Sequence, residues 1–176
     1  MRIGIDVSQL AYKNTGVSNY LENLVDNLLK TDKKNEYVFF FSSLRKNLDS
    51  PIFNSQVPPR ITLKSFKFPP TFLDLIWNKL HIIPIEWLIG KVDLFITSDW
   101  TEPPSKGKKA TFIYDLTIYK TPKETHKKII LTQKRKLKWV KKESNLVFAI
   151  SESGKKDIQE FLEIPNDKIK VIYPGI

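Results

Sequence analysis

No cysteine occurs in the 176 residues, which excludes a disulfide framework, a thiolate nucleophile and a thiolate metal site. That is compatible with a reducing cytosol. Histidine is almost as scarce: His81 and His126 stand alone, without the spaced partners of a metal site or catalytic triad. His81 lies in an apolar stretch and reads as structural. Only six glycines are present, and none follows Gly16 until Gly90, so the chain lacks G-x-G-x-x-G. No run approaches the roughly 20 apolar residues that span a bilayer. The most apolar window, Leu73 to Ile89, is interrupted by Asp74, Lys79, Pro84 and Glu86. The first residues, Met1 to Asp6, lack the apolar segment of a signal peptide. Repeats and low-complexity tracts are missing as well.

Acid is missing from one stretch in particular. Lys123 to Lys142 holds nine basic residues against Glu124 alone, or +8 of the net +10. The remainder is close to neutral, so the chain is an ordinary domain with one basic element. A hydrophobic content of 41% in a chain of this length suffices for one real core.

The pattern along the chain alternates strand and helix. Arg2 to Val7 reads as a short buried strand, followed by the loop Ala11 to Gly16. Val17, Tyr20, Leu21, Leu24, Val25, Leu28 and Leu29 recur at helical spacing and predict an amphipathic helix over 17–30. Tyr37 to Phe41 is an aromatic run suited to a strand buried on both faces. A loop is expected over 43–59 and a strand over 61–66. Short helices are expected over 71–80 and 84–90, and strands over 92–97 and 110–114. A long basic helix is expected over 123–142 and a strand over 146–150. Ser151, or Ser153, caps a helix over 152–162, and Lys168 to Tyr173 forms the last strand. This order predicts an α/β, Rossmann-like parallel sheet with helices on both faces. The end, Tyr173-Pro174-Gly175-Ile176, reads as a hinge. The expectation is a domain over 1–173, the start of a linker at 174–176 and a second domain beyond.

Four places invite chemistry. Gly16, before a helix, is either a turn glycine or a point where an anion approaches a helix N-terminus. The loop Ser98-Asp99-Trp100-Thr101-Glu102-Pro103-Pro104 sits at a strand's carboxyl end, where α/β proteins bind ligands. Tyr114-Asp115 ends another strand, and Asp115 could accept a proton or a sugar hydroxyl's hydrogen bond, or serve as a turn residue. In the basic helix, Ile129, Ile130, Leu137 and Val140 share one stripe, with Lys127, Lys134, Arg135, Lys138, Lys141 and Lys142 opposite. That outer face reads as solvated, or as a site for anionic lipid headgroups, an anionic substrate or nucleic acid. Nucleic acid ranks last, because no recognised module accompanies the charge.

Together these segments resemble the N-terminal domain of glycosyltransferase family 4, the retaining GT-B enzymes. Arg2-Ile3-Gly4-Ile5-Asp6 with Thr15-Gly16-Val17-Ser18-Asn19-Tyr20 is similar to the family's first strand and glycine loop. Ile76 to Leu80 with Val92 to Phe95, then Asp99 to Pro104, Tyr114-Asp115-Leu116 and Pro122 follow its central order. Val147 to Ser153 with Lys155 and Asp157 resembles its late strand and helix start, and Val171 to Ile176 its interdomain linker.

The resemblance implies the acceptor-side half of a GT-B enzyme that moves a hexose from a UDP- or GDP-sugar to a glycan or lipid-linked acceptor. The donor would be held mostly by a C-terminal domain with paired glutamates, so this chain alone would be inactive. No metal or other cofactor is implied, since amides and basic side chains neutralise the leaving diphosphate. The implied roles are catalysis at Asp115 and Tyr114, and diphosphate contact at Thr15 and Gly16. Acceptor contact falls to Asn19, Ser98, Asp99 and Trp100, with a helix start near the crevice at Ser151 and Lys155. Lys134, Arg135, Lys138, Lys141 and Lys142 would face an anionic membrane, placing the protein in the cytoplasm or at the inner membrane face. The family carries histidine where this chain has Tyr114, and tyrosine does not titrate near neutrality as imidazole does. The alternative is a non-catalytic glycan- or partner-binding module of the same fold.

Overall fold

The computed structural model describes residues 1–54 and 58–175. Among the described residues, seven strands form one wholly parallel sheet: β1 (Arg2–Asp6), β2 (Glu36–Ser42), β3 (Ile61–Phe66), β4 (Leu94–Thr97), β5 (Lys108–Ile113), β6 (Leu146–Ala149) and β7 (Ile169–Val171). Their order is β3-β2-β1-β4-β5-β6-β7. The order reverses between β1 and β4, and such a switch point opens a crevice beside the strands' carboxyl ends. The fold is Rossmann-like, as the alternating pattern predicts.

The helices are α1 (Gly16–Thr31), α2 (Pro51–Asn54), α3 (Pro70–Leu73), α4 (Glu86–Ile89), α5 (Thr117–Lys120), α6 (Lys127–Glu143) and α7 (Glu152–Leu162). They cover both faces, and β2 shows why. Its side chains alternate across the sheet. Tyr37, Phe39 and Phe41 pack with Leu21 and Val25 of α1 on one side. Val38 and Phe40 pack with Trp77, Ile85 and Ile89 on the other. A third cluster joins Leu137 and Val140 of α6 to Ile158 and Leu162 of α7 over Val147, Ala149 and Ile169.

Several boundaries differ from the sequence pattern. The first strand ends at Asp6 and β4 begins at Leu94. The last strand is only Ile169–Val171, because a 3-10 turn takes up Asn166–Lys168. Within the loop expected over 43–59, Pro51–Asn54 is helical, and residues 55–57 of that expectation lie outside the described residues. The segment expected as one helix over 71–80 is α3 followed by a π-helical turn, Asp74–Lys79. The basic helix starts at Lys127, since the His126 ring nitrogen accepts from the Lys128 amide and caps it. Ser151, not Ser153, caps α7 by accepting from the Gly154 amide at 3.0 Å.

One close approach decides a glycine. A Cβ on Gly4 would sit 2.7 Å from Phe95 Cδ2 and 2.9 Å from Ile89 Cδ1, both fully buried. Gly4→Ala should therefore lower stability by about 1–3 kcal/mol through overpacking. Gly16→Ala should leave stability nearly unchanged, because a Cβ there meets nothing within 4 Å. Urea unfolding of the two variants beside the wild type measures the contrast.

Candidate functional site

Four strand-end segments converge on one cleft of about 760 Å³. Gly16 and one face of α1 form the first wall. Tyr114 and Asp115 follow β5, Ile150 follows β6, and Tyr173, Pro174 and Gly175 follow β7. Tyr20 ties these walls together: its hydroxyl donates to the Ile172 carbonyl at 3.0 Å, and its ring meets Phe112 and Tyr114 edge-on. Burial pushes the Tyr20 hydroxyl up to about 12.

The α1 wall is set by its N-terminus. Thr15 caps the helix, its Oγ1 accepting from the Ser18 amide at 3.2 Å and donating to the Tyr12 carbonyl at 3.0 Å. The cap engages Ser18 and leaves the amides of Gly16 and Val17 at the helix mouth. Neither backbone angle nor packing demands glycine at 16, so its missing side chain serves the open space in front of it. Asn19, Asn23 and Asn27, four residues apart, line the same wall. Amides that both donate and accept, beside aromatic rings, suit neutral polyols.

Asp115 is exposed, and its Oδ1 accepts from the Thr117 amide at 2.9 Å, which fixes the carboxylate at the cleft floor. It also lines an adjoining cavity of about 300 Å³ with Asp99, Trp100 and Gln133. Burial raises the Asp99 carboxyl; the Lys136 charge opposes this and the Asp115 charge adds to it. Tyr114 is buried, with its hydroxyl 3.4 Å from Ser98 Oγ, and burial pushes that hydroxyl well above its ordinary value.

Thus Asn19, Gly16, Tyr114 and Asp115 line one cleft, with Asp99 and Trp100 in the adjoining cavity. Ser151 caps α7 one residue beyond Ile150 of the cleft wall, so this helix start lies beside the crevice, and neither Ser151 nor Lys155 lines it. Two expectations are corrected. Ser98 is buried, 2% exposed, and acts through its carbonyl rather than facing a ligand. Ile129 is 39% exposed instead of packing with Leu137 and Val140. Nor is the basic face uniformly free. Lys141 pairs with Glu163, Arg135 with Asp74 at 3.3 Å, and Lys134 lies over the Tyr119 ring. Lys138 and Lys142 flank Trp139.

The pattern missed Lys136. It is 2% exposed, donates to the Ser98 carbonyl, and feels the charges of Glu102, Asp99 and Asp6. Burial lowers its pKa and those three carboxylates oppose the shift. Glu102, fully buried, accepts from Thr97 Oγ1 at 2.6 Å and pairs with Lys109 at 2.9 Å. Asp6 accepts from the Ser8 amide at 2.9 Å, yet burial still raises its carboxyl. The only sequence signal for Lys136 is its position: it neighbours Leu137 and lies one turn before Val140, on the buried flank of α6.

Removing one partner of such a buried set leaves uncompensated charge, so Lys136→Met should cost about 3–5 kcal/mol at neutral pH. The sign with pH follows from Asp6 and Asp99. Burial raises both folded-state carboxyls above their unfolded values, so their protonation favours the folded chain and this benefit is lost as pH rises through those raised values. Without the ammonium this effect grows, and the gap between variant and wild type should narrow as pH falls through the carboxylate range. Urea unfolding at several pH values reads it directly.

A search of curated proteins finds no match to this chain. The family model described as Glycosyltransferase Family 4 matches residues 14–176, a span that takes in the glycine loop, Asp115 and all four walls of the cleft. The chain belongs to glycosyltransferase family 4.

Proposed function

We propose that this glycosyltransferase domain is the acceptor-side half of a retaining, two-domain enzyme that moves a hexose from a UDP- or GDP-sugar to a glycan or lipid-linked acceptor. The observation that carries the reading is the convergence of Gly16, Asn19, Tyr114, Asp115 and Tyr173 on one strand-end cleft. Amides at the α1 mouth suit the negative charge of a departing diphosphate, where a helix N-terminus and a water-poor wall stabilise developing charge. Asn19, Asn23 and Asn27 supply donors and acceptors for acceptor hydroxyls. Asp115 takes the hydrogen bond of the hydroxyl that attacks, and Asp99 and Trp100 border the path by which an acceptor arrives.

In this reading the other wall, which would hold the nucleotide, belongs to a second domain reached through Pro174 and Gly175, the described part of the linker; Ile176 lies outside the described residues. The domain needs no metal of its own, because the amides at the helix mouth meet the leaving charge.

One observation favours a second reading, a glycan-binding module without turnover. Tyr114 occupies the place of the family's histidine and is buried, and burial raises its hydroxyl above the ordinary phenol value, already too high for proton transfer near neutrality.

The readings part in one assay. In the enzyme expressed from the complete coding region, Asp115→Asn should lower kcat at least about a hundredfold, the usual weight of a positioned acid or base. The 176-residue chain alone should transfer nothing. Turnover by the isolated chain contradicts the half-enzyme reading, and full activity of the Asp115→Asn enzyme contradicts the role of that carboxylate. Glycan binding with no turnover from the complete product would establish the second reading.

A further inference from the structure

The α3 and π-helical segment runs alongside α6 for almost its whole length. Thr71 shares a small cavity with Lys128, Ile129 and Thr132. Asp74 pairs with Arg135 at 3.3 Å. The Asn78 carbonyl accepts from Trp139 Nε1 at 2.8 Å. His81 Nε2 lies 2.9 Å from a Glu143 oxygen. These four contacts advance together along both segments, so the outward sides of the two form one continuous face.

That face is apolar and basic at once. Phe72, Leu75, Leu80, Ile82 and Leu131 are 40%, 42%, 52%, 48% and 58% exposed. Lys79, Lys128, Lys138 and Lys142 are exposed and form no ion pair among the described residues. The acids of the seam are engaged within it: Asp74 with Arg135, and Glu143 with Lys109 and His81. The outward charge is therefore of one sign.

The exposure of Leu80 and Ile82 is held in place. His81 and Ile83 take left-handed φ values of 53° and 63°. For a β-branched residue such as Ile83 that is a genuine outlier, kept only where the surroundings over-determine it. Here they do. The His81 ring stacks on Trp139 at 3.6 Å, its Nδ1 lies 2.8 Å from the Trp77 carbonyl, and Trp77 Nε1 donates to the Ile83 carbonyl at 3.0 Å. The π-helical turn before it has its own anchor in Asn78, which binds Trp100 and Glu102. A strained, pinned loop that holds two large aliphatic side chains in water calls for an occupant.

We propose that this face docks on an anionic lipid bilayer, with Leu80 and Ile82 entering the acyl boundary and Lys138 and Lys142 meeting the headgroups. A second copy of the chain would set basic face against basic face. A bilayer of anionic lipid meets both halves of the pattern, apolar interior for the aliphatics and negative surface for the lysines. The face borders the candidate site at Trp100, which lines both the small cavity beside Thr71 and the cavity that holds Asp115. The inference stands on this face alone and does not need the transfer reading. It narrows the basic surface expected from sequence: Lys134 and Lys141 lie outside it.

The test is sedimentation of the 176-residue chain with vesicles of phosphatidylcholine, with or without phosphatidylglycerol. Binding should be at least about tenfold tighter to the anionic vesicles and should weaken with salt, since each basic residue at the surface adds to attraction that screening removes. The double variants Leu80→Ser with Ile82→Ser, and Lys138→Glu with Lys142→Glu, should each lose at least about tenfold. All four side chains are exposed, and circular dichroism checks that the variants fold. The double variant Lys33→Glu with Lys34→Glu carries the same charge change just after α1, which packs on the other side of the sheet, and should bind as the wild type does. Equal loss in that control, or no loss in the aliphatic variant, overturns the proposal. So does absence of vesicle binding, including the case where the same variants shift a monomer–dimer equilibrium and so mark a protein interface.

Discussion

The Lys136 ammonium is the constraint around which this domain is arranged. It is buried, so its charge needs an acceptor and opposite charges nearby, and the chain supplies them from two segments. Asp6 comes from the end of β1, Asp99 and Glu102 from the loop after β4, and the Ser98 carbonyl from the same loop. A buried cation held this way fixes α6 to the switch point of the sheet. The loop that carries Asp99 and Trp100 cannot drift without stranding a charge. What the cavity beside the cleft gains is a wall set before any ligand arrives, and fixed geometry is what a scaffold can supply in advance.

Glu102, whose charge Lys136 feels, starts a chain of polar contacts that runs outward. Glu102 pairs with Lys109, Lys109 with Glu143 at 3.1 Å, and Glu143 meets His81, whose ring stacks on Trp139. Burial alone would raise the Glu143 carboxyl, but the Lys109 charge and the hydrogen bonds from Lys109 and His81 hold it below the ordinary range. The network behind the Asp99 loop therefore also pins the loop from Leu80 to Ile83. Histidine here is structural, as its isolated place in an apolar stretch suggests.

Much of this was readable because period and burial agree. The aromatic run of β2 could only be a strand covered on both faces, and α1 carries a regular apolar stripe. Their alternation with the later elements defined the sheet, and the strand ends defined where a site should lie. What escaped the pattern did so for physical reasons. Lys136 carries the sign of its solvated neighbours, so nothing in the basic run separates the one buried cation from the exposed ones. Leu73, Ile76, Trp77 and Leu80 fit an ordinary helix, and the wide π turn is imposed by contacts of Asn78 with the loop after β4. Asn23 and Asn27 look like a solvated helix face until the chain after β7 is set across from them. Ser98 looked like a ligand contact because polar residues gather at strand ends, but its carbonyl was claimed by the buried cation. Polar residue types are visible in a sequence; whether the backbone or the side chain does the work is decided by packing.

The central claim is that the strand-end cleft, and not the basic helix, receives sugar. Amide chemical-shift mapping of the labelled chain, titrated with neutral oligosaccharides and with UDP- and GDP-sugars, tests it most directly. The account predicts that shifts gather at Gly16, Asn19, Asn23, Asp115 and Tyr173, the residues that share the cleft. Shifts confined to α6, or scattered evenly over the surface while the cleft residues stay still, would contradict it.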